Sequence, residues 1–319
     1  MKKQSWLIRL RRFIITNNTA YRVATFLHLK KIKNFLERFN IFIAVDKKSR
    51  QHYASKPNGA RKKLDEFIFY IVDHCDLNCK NCSSFCPIAK ENYISVEKFT
   101  RDLEQVYKLT GGDVDRINLS GGEPLMHPNL LELLSIARKI FPKTSLRIGT
   151  NGILLSQKKD DFWKSVKANN FSFIITRYPI KLNWETINYY SDKFDILIEY
   201  QGLELGKKTT HHFALDLSGN CDGQKNFKRC GMANACLTLK NSKFYTCAAP
   251  AMIYIFNEYF HTKLGEGEKN GIDIYNHDLK EILEFLAKPI PFCKYCDMDN
   301  WTYNHQWGIS KKDIKEWTL

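Results

Sequence analysis

The sequence predicts an α/β chain: a partial (β/α)6 barrel, preceded by a basic helical segment and followed by a small cysteine-rich, metal-binding domain. Three observations carry this. Apolar runs of strand length alternate with helical stretches from Phe67 to about residue 200. The whole net charge of +15 resides in residues 1–63, which hold 17 Lys/Arg against two acids, Glu37 and Asp46. Six of the ten cysteines follow residue 218, where the alternation has stopped. The expected units are 1–63, 64–218 and 219–319.

In the first unit, Phe26, Leu29, Ile32, Leu36 and Phe39 recur every three or four residues, while Lys30, Lys31, Lys33 and Arg38 fall largely elsewhere. Such a helix can lie on an anionic membrane surface with its apolar face down. Equally, that face can pack on the protein body. No recognised nucleic-acid-binding fold accompanies the charge, so nucleic acid is not the expected partner. Neither a secretory signal nor a membrane-spanning run of apolar residues is visible. Ten cysteines without a signal point to a reducing, cytoplasmic setting, where metal ligation outweighs disulfide formation. The arm would then place the protein at the inner face of the membrane.

The second unit reads as strands near 67–73, 115–120, 145–150, 171–177 and 194–200, with a further one near His212–Leu217. Helices are expected at Val96–Leu109, Asn129–Ile140 and Lys158–Ala168. Repeated βα units build a parallel sheet, and chemistry in such sheets sits at the C-terminal ends of strands. The first strand runs into Cys75, Cys79 and Cys82, spaced C-x3-C-x2-C. The second ends in Ser120-Gly121-Gly122-Glu123-Pro124, the third in Gly149-Thr150-Asn151-Gly152, and the fourth near Arg177. Three thiolates on one loop can hold three irons of a 4Fe–4S cube and leave the fourth open to a ligand. A structural zinc site is the plainer use of the same cysteines, with Cys86 or His74 as fourth ligand. Glycines at strand ends let backbone approach a ligand closely.

Taken together, residues 67 to about 200 resemble the radical S-adenosylmethionine (SAM) superfamily. The resemblance implies a 4Fe–4S cluster on Cys75, Cys79 and Cys82, with SAM chelating the open iron. It implies a methionine-binding motif at Gly121, Gly122, Glu123 and Pro124. Thr150, Asn151 and Arg177 are further candidate cofactor contacts by position, and their plainer role is to satisfy backbone or solvent at strand ends. Members often carry an aromatic before the third cysteine; Asn81 stands there. Cys86 completes a ferredoxin-like C-x3-C-P ending but is read as a non-ligand, since the open iron is essential. His74 is expected to pack or hydrogen-bond nearby.

The C-terminal cysteines resemble the Twitch extension, a shortened SPASM domain, of the same superfamily. That likeness implies a second, auxiliary 4Fe–4S cluster on Cys236, Cys247, Cys293 and Cys296, with Ser242 in place of the usual hairpin glycine. Cys230 competes with Cys236, Cys221 has no assigned role, and zinc is the alternative metal. Chain order and Cys230–Phe260 look like radical SAM proteins of bacterial surface-polysaccharide gene clusters. This implies a sugar nucleotide or lipid-linked sugar as substrate, dehydrogenation or epimerisation as reaction, and a reducing flavodoxin or ferredoxin as electron donor. The competing readings are a peptide-modifying maturase and a non-catalytic metal-binding membrane adaptor. No individual catalytic residue is singled out by the sequence.

Overall fold

The computed structural model describes residues 61–201, 209–233 and 235–318. The expected amphipathic helix of the basic arm lies outside those residues. Two cations just inside them are paired: Arg61 with Asp65, and Lys63 with Asp113 and Asp115 at 2.9 and 2.8 Å. Among the described residues no helix is long and apolar enough to cross a membrane.

Four βα repeats and a fifth strand form along the alternating stretch. They are β1 (Glu66–Val72), α1 (Val96–Thr110), β2 (Arg116–Gly121), α2 (Leu130–Ile140), β3 (Ser145–Thr150), α3 (Asp160–Ala168), β4 (Phe171–Thr176), α4 (Trp184–Lys193) and β5 (Ile198–Gln201). Helix α1 starts where Ser95 accepts the N–H of Lys98, and it stops at Gly111, whose φ of 61° ends the helix at no Cβ cost. The strands pair in parallel in the order β5-β4-β3-β2-β1. One sheet face is apolar: Phe67, Phe69, Ile117, Leu119, Ile148 and Phe173 pack against Phe99, Leu103, Leu133 and Trp163 of the helices. The other face carries a polar lattice. Arg147 bonds Asn118 and Glu199, and Glu66 bonds Arg116 and Asn118. The alternation of inward polar and outward apolar residues is the strand period read directly from sequence.

The sixth parallel strand is not where the sequence suggested. The segment near His212 does form a strand, β6 (Thr209–His212), but it pairs antiparallel with β10 (Thr302–Gln306) in a separate two-stranded ribbon. Its sequence, Thr-Thr-His-His, lacks the apolar character that a strand buried in a parallel sheet requires. The sixth parallel partner is β7 (Thr238–Lys240), laid against the other edge of β1. From there β8 (Lys243–Tyr245) and β9 (Ile272–Asp273) continue antiparallel, so the main sheet has eight strands. Asn241 and Ser242, at φ of 49° and 61°, make the tight turn between β7 and β8.

The C-terminal region is therefore hydrogen-bonded into the barrel's own sheet. Helices α5 (Gly223–Arg229), α6 (Ala248–Phe260) and α7 (Leu279–Leu286) complete it. A second apolar cluster joins the two regions, with Tyr70 and Phe85 against Met252, Phe256, Phe292 and Trp317. A buried ion pair reinforces the junction. Lys240 on β7 bonds Asp73, which also accepts from Tyr254 and Asn92, both at 2.5 Å. Both partners are almost fully buried, so deleting one would strand a charge at a cost of about 3–5 kcal/mol.

Candidate active site

The ends of β1 and β2 meet through their backbones, and the end of β3 joins them through the Glu123 side chain. Gly122 N–H donates to Val72 O at 2.8 Å, and Glu123 N–H donates to His74 O at 3.0 Å. A Cβ on Gly121 would stand 2.1 Å from Val72 O, and one on Gly122 would stand 1.8 Å from His74 O. The glycine pair thus lets the second loop dock on the root of the cysteine loop. Gly121 also has φ of 133°, a region that other residues avoid.

Glu123 turns inward and is fully buried. Its Oε1 accepts from Leu125 N–H at 3.0 Å and Thr150 Oγ1 at 2.8 Å, and its Oε2 accepts from Asn151 N–H at 2.9 Å. Burial pushes its carboxyl up to about 7, against the pull of those three donors. Asn151 carries the connection onward. Its amide nitrogen donates to Asp76 Oδ1 at 2.6 Å and lies 3.6 Å from Cys75 Sγ. A continuous chain runs from the Gly-Gly-Glu-Pro loop through Asn151 to the first cysteine. Pro124 opens a short 3-10 turn with Leu125 and Met126.

Cys75, Cys79 and Cys82 are partly buried free thiols on one loop. Burial raises the thiols of Cys75 and Cys79, the latter to about 12, and each is raised further by the neighbouring Cys82. Cys82 is instead held down at about 7, first by hydrogen bonding from Cys86, whose own thiol is raised by the same contact and by burial. Asn81 sits at φ of 61°, a left-handed conformation that asparagine tolerates better than an aromatic does. His74 packs edge-on against Tyr93 at 4.8 Å and bonds its hydroxyl at 3.1 Å.

Arg177, at the end of β4, is 7% exposed. Its guanidinium lies 4.1 Å from the centre of the Tyr200 ring and 5.8 Å from that of Trp184, and Nε has no hydrogen-bond partner. Burial lowers its pKa, but a guanidinium keeps its charge. An unsatisfied donor on a stacked, charged fork suits a carboxylate or another anionic oxygen.

The C-terminal cysteines gather around one apolar cavity, in a set that differs from the sequence expectation. Its walls include Cys230, Cys247, Cys293 and Cys296, together with Phe227 and Trp301; Cys236 is not among them. Burial raises the Cys296 thiol, and Cys247, Cys293, Cys230 and Cys221 raise it further; Cys247 is raised by burial and then by Cys230, Cys293 and Cys236. Local structure explains why Cys230 and not Cys236 lines the cavity. Cys230 caps α5, its N–H bonding Asn226 O and Phe227 O, and its sulfur accepts from Met232 and Ala233 N–H at 3.4 and 3.3 Å. Asn226 on the same helix holds the carbonyls of Cys293 and Cys296 at 3.0 and 2.5 Å. Cys236 immediately precedes Leu237, whose carbonyl accepts from Ile68 N–H at 2.8 Å and draws the chain into the sheet.

The donor chemistry fits an iron–sulfur cluster at both places. Three thiols share one strand-end loop, and four thiols share a cavity shielded by apolar walls. Among the described residues no three or more His, Cys, Asp or Glu side chains converge on a single metal ion.

Residues 69–183 match the model of the Radical SAM superfamily. The chain is similar to GTP 3′,8-cyclase of Trichodesmium erythraeum (strain IMS101), 28% identical over 161 residues, covering 49% of this chain and 42% of that one. It is similar to the S-adenosylmethionine-dependent nucleotide dehydratase of Lacinutrix mariniflava, 30% identical over 120 residues, covering 37% of this chain and 24% of the other. It thus spans less than half the length of these curated relatives. Among solved structures it is similar to BtrN in complex with AdoMet and 2-DOIA, with 14% identity, a TM-score of 0.47, and coverage of 74% of this chain and 94% of that one. Within the matched residues lie all three barrel cysteines, the Gly-Gly-Glu-Pro loop, Thr150, Asn151 and Arg177. Sequence reading missed Asp76, which anchors the cysteine loop to Asn151, and Tyr178 and Trp307, which reach Cys79 from separate places. A tail with tryptophans at 301, 307 and 317 was the available signal.

Proposed function

We propose that this chain is a radical SAM enzyme. Cys75, Cys79 and Cys82 would hold a 4Fe–4S cluster. Glu123, Thr150, Asn151 and Arg177 would shape the SAM site, and an auxiliary cluster would sit on Cys230, Cys247, Cys293 and Cys296. With one electron from a reducing flavodoxin or ferredoxin, such a cluster and SAM together supply a 5′-deoxyadenosyl radical that takes hydrogen from an unactivated carbon. The observation that carries the reading is the chain of contacts from Glu123 through Asn151 to Cys75, which fixes the cysteine loop and the Gly-Gly-Glu-Pro loop relative to each other.

In this reading Glu123 acts as a scaffold, since both its oxygens are engaged by Leu125, Thr150 and Asn151. Arg177 offers its open donor to a carboxylate. Cys86, a buried thiol beside Cys82, keeps its proton and leaves one iron free for SAM. The polar lattice of Glu66, Arg116, Asn118, Arg147 and Glu199 on the concave face suits a hydroxyl-rich substrate. A sugar nucleotide or lipid-linked sugar, dehydrogenated or epimerised at a carbinol carbon, fits that surface. The auxiliary cluster would exchange an electron with the substrate radical.

The test is anaerobic incubation of the reconstituted protein with SAM and dithionite. 5′-Deoxyadenosine and methionine should form even without substrate, and Cys79→Ala should reduce both to background. An iron-replete wild type that forms neither product would sink the proposal.

A further inference from the structure

The tail that follows β10 crosses the cysteine loop as a strap. Lys80 N–H donates to Gly308 O at 2.7 Å, and Ser310 N–H donates to Asn78 O at 2.8 Å. These bonds flank an antiparallel bridge between Cys79 and Ile309. The strap is knotted on its far side, where buried Glu316 accepts from Ser310 Oγ at 2.6 Å and Lys311 N–H at 2.5 Å. Beyond the knot, Trp317 donates its indole N–H to Cys82 O at 2.9 Å and packs against Phe85 and Phe256. Two of the three barrel cysteines are thus held from the C-terminal end of the chain.

One contact reaches a sulfur. Trp307 Nε1 lies 3.3 Å from Cys79 Sγ, and its ring leans on Tyr178 with centroids 6.1 Å apart. An indole nitrogen can only donate, and a partly buried one needs an acceptor. A thiolate sulfur is a far better acceptor than a thiol. The contact therefore has its full strength only when Cys79 is ionised, as a ligand must be.

We propose that Trp307 is a positioning residue for the barrel cluster, donating a hydrogen bond to the Cys79 thiolate while the 307–310 strap shields that side of the cluster. This inference rests on the cluster reading above. Hydrogen bonds to cluster sulfurs stabilise the extra negative charge of the reduced state and so raise its reduction potential. Solvent exposure acts in the same direction as a donor, so removing the whole ring would mix two opposing effects. Trp307→Phe separates them, because it retains the shield and deletes the N–H.

The experiment is an EPR-monitored redox titration of reconstituted wild type and Trp307→Phe, scored on the signal that changes when SAM is added. That criterion selects the barrel cluster over the auxiliary one. Trp307→Phe should keep wild-type iron and shift the SAM-responsive potential negative, with the other cluster's potential unmoved. Ser310→Pro, which removes a strap donor to the Asn78 carbonyl rather than to a sulfur, should speed loss of the SAM-responsive signal in air. An iron-replete Trp307→Phe with wild-type potential overturns the proposal. If Trp307→Phe does not retain iron, Ser310→Pro decides, and wild-type decay in that variant overturns it. A wild type lacking any SAM-responsive iron–sulfur signal would instead overturn the cluster reading, and this inference with it.

Discussion

The two cysteine sites of this chain are built on opposite plans. The barrel site takes Cys75, Cys79 and Cys82 from one loop of eight residues and borrows its support from elsewhere: Asn151 from β3, Trp307 and Trp317 from the tail. The C-terminal cavity takes its cysteines from three separate places, Cys230, Cys247 and the Cys293–Cys296 turn, and is supported locally, by α5 and its Asn226. Ligands close in sequence can assemble early, but their surroundings depend on the whole fold. Ligands dispersed in sequence depend on the fold before they meet. The barrel site should therefore respond sharply to its own cysteines and only by degrees to its supports. The C-terminal site should respond to anything that moves α5.

The largest effect should separate Cys230 from Cys236. Wild type should bind about eight irons, four at each site. Cys230→Ala should lose the auxiliary iron while retaining SAM cleavage, whereas Cys236→Ala should keep the wild-type count. Anaerobic iron and zinc analysis with Mössbauer spectroscopy reads this directly. The reverse result would restore Cys236 as the ligand and detach the cavity from the metal. One zinc with about four irons would remove the proposed electron-exchange role from the C-terminal site.

What was legible in the sequence follows the same division. The strands from β1 to β4 fall within two residues of their expected ends, because parallel strands and amphipathic helices have strong, different periods. The triad of strand-end motifs was visible because its members are local. Three features were not. The Thr209–His212 strand is too polar for a parallel sheet, but its residues do not announce pairing with Thr302–Gln306. β7 is three residues long, and nothing in Thr-Leu-Lys announces pairing with β1. Cys230 and Cys236 differ in placement through Asp222, Asn226 and the sheet entry at Leu237, all of which act through three-dimensional contacts. Glu123 was read as a ligand to the cofactor because motif position is legible. Its engagement by Leu125, Thr150 and Asn151 is a packing fact.

Glu123 offers the next largest effect, on pH dependence. Its folded carboxyl sits at about 7 through burial, above the ordinary value of 4.5. An acid raised on folding holds a proton that the unfolded chain has released. Stability of the cluster-free protein should therefore be greatest below about pH 4.5 as far as this group is concerned, and should fall as pH rises through the window up to about 7. Full ionisation would cost on the order of 3 kcal/mol. Glu123→Gln should flatten that part of the profile in thermal melts from pH 5 to 8. An unchanged slope would mean that the carboxylate is stabilised there as an anion. The barrel site carries this pH sensitivity; among the described residues no carboxylate lines the C-terminal cavity.

The smallest effect tests the claim that the C-terminal site hangs on α5. Asp222 caps that helix, accepting from Gln224 and Lys225 N–H, both at 3.0 Å. The helix presents Asn226 to the carbonyls of Cys293 and Cys296 and ends at Cys230. With only seven residues it has little intrinsic stability, so its cap matters more than in a long helix. Asp222→Ala should cost about 1 kcal/mol. That loss is too small to unfold the chain but should fray the turn that delivers Cys230. Chelator-driven loss of auxiliary iron should quicken several-fold, while the SAM-responsive signal decays at the wild-type rate. Asp222→Asn keeps an acceptor at the cap and should behave nearly as wild type. If both sites lost iron together in Asp222→Ala, the two would share one cooperative unit through β7 and β1, and local support of the C-terminal site would be refuted.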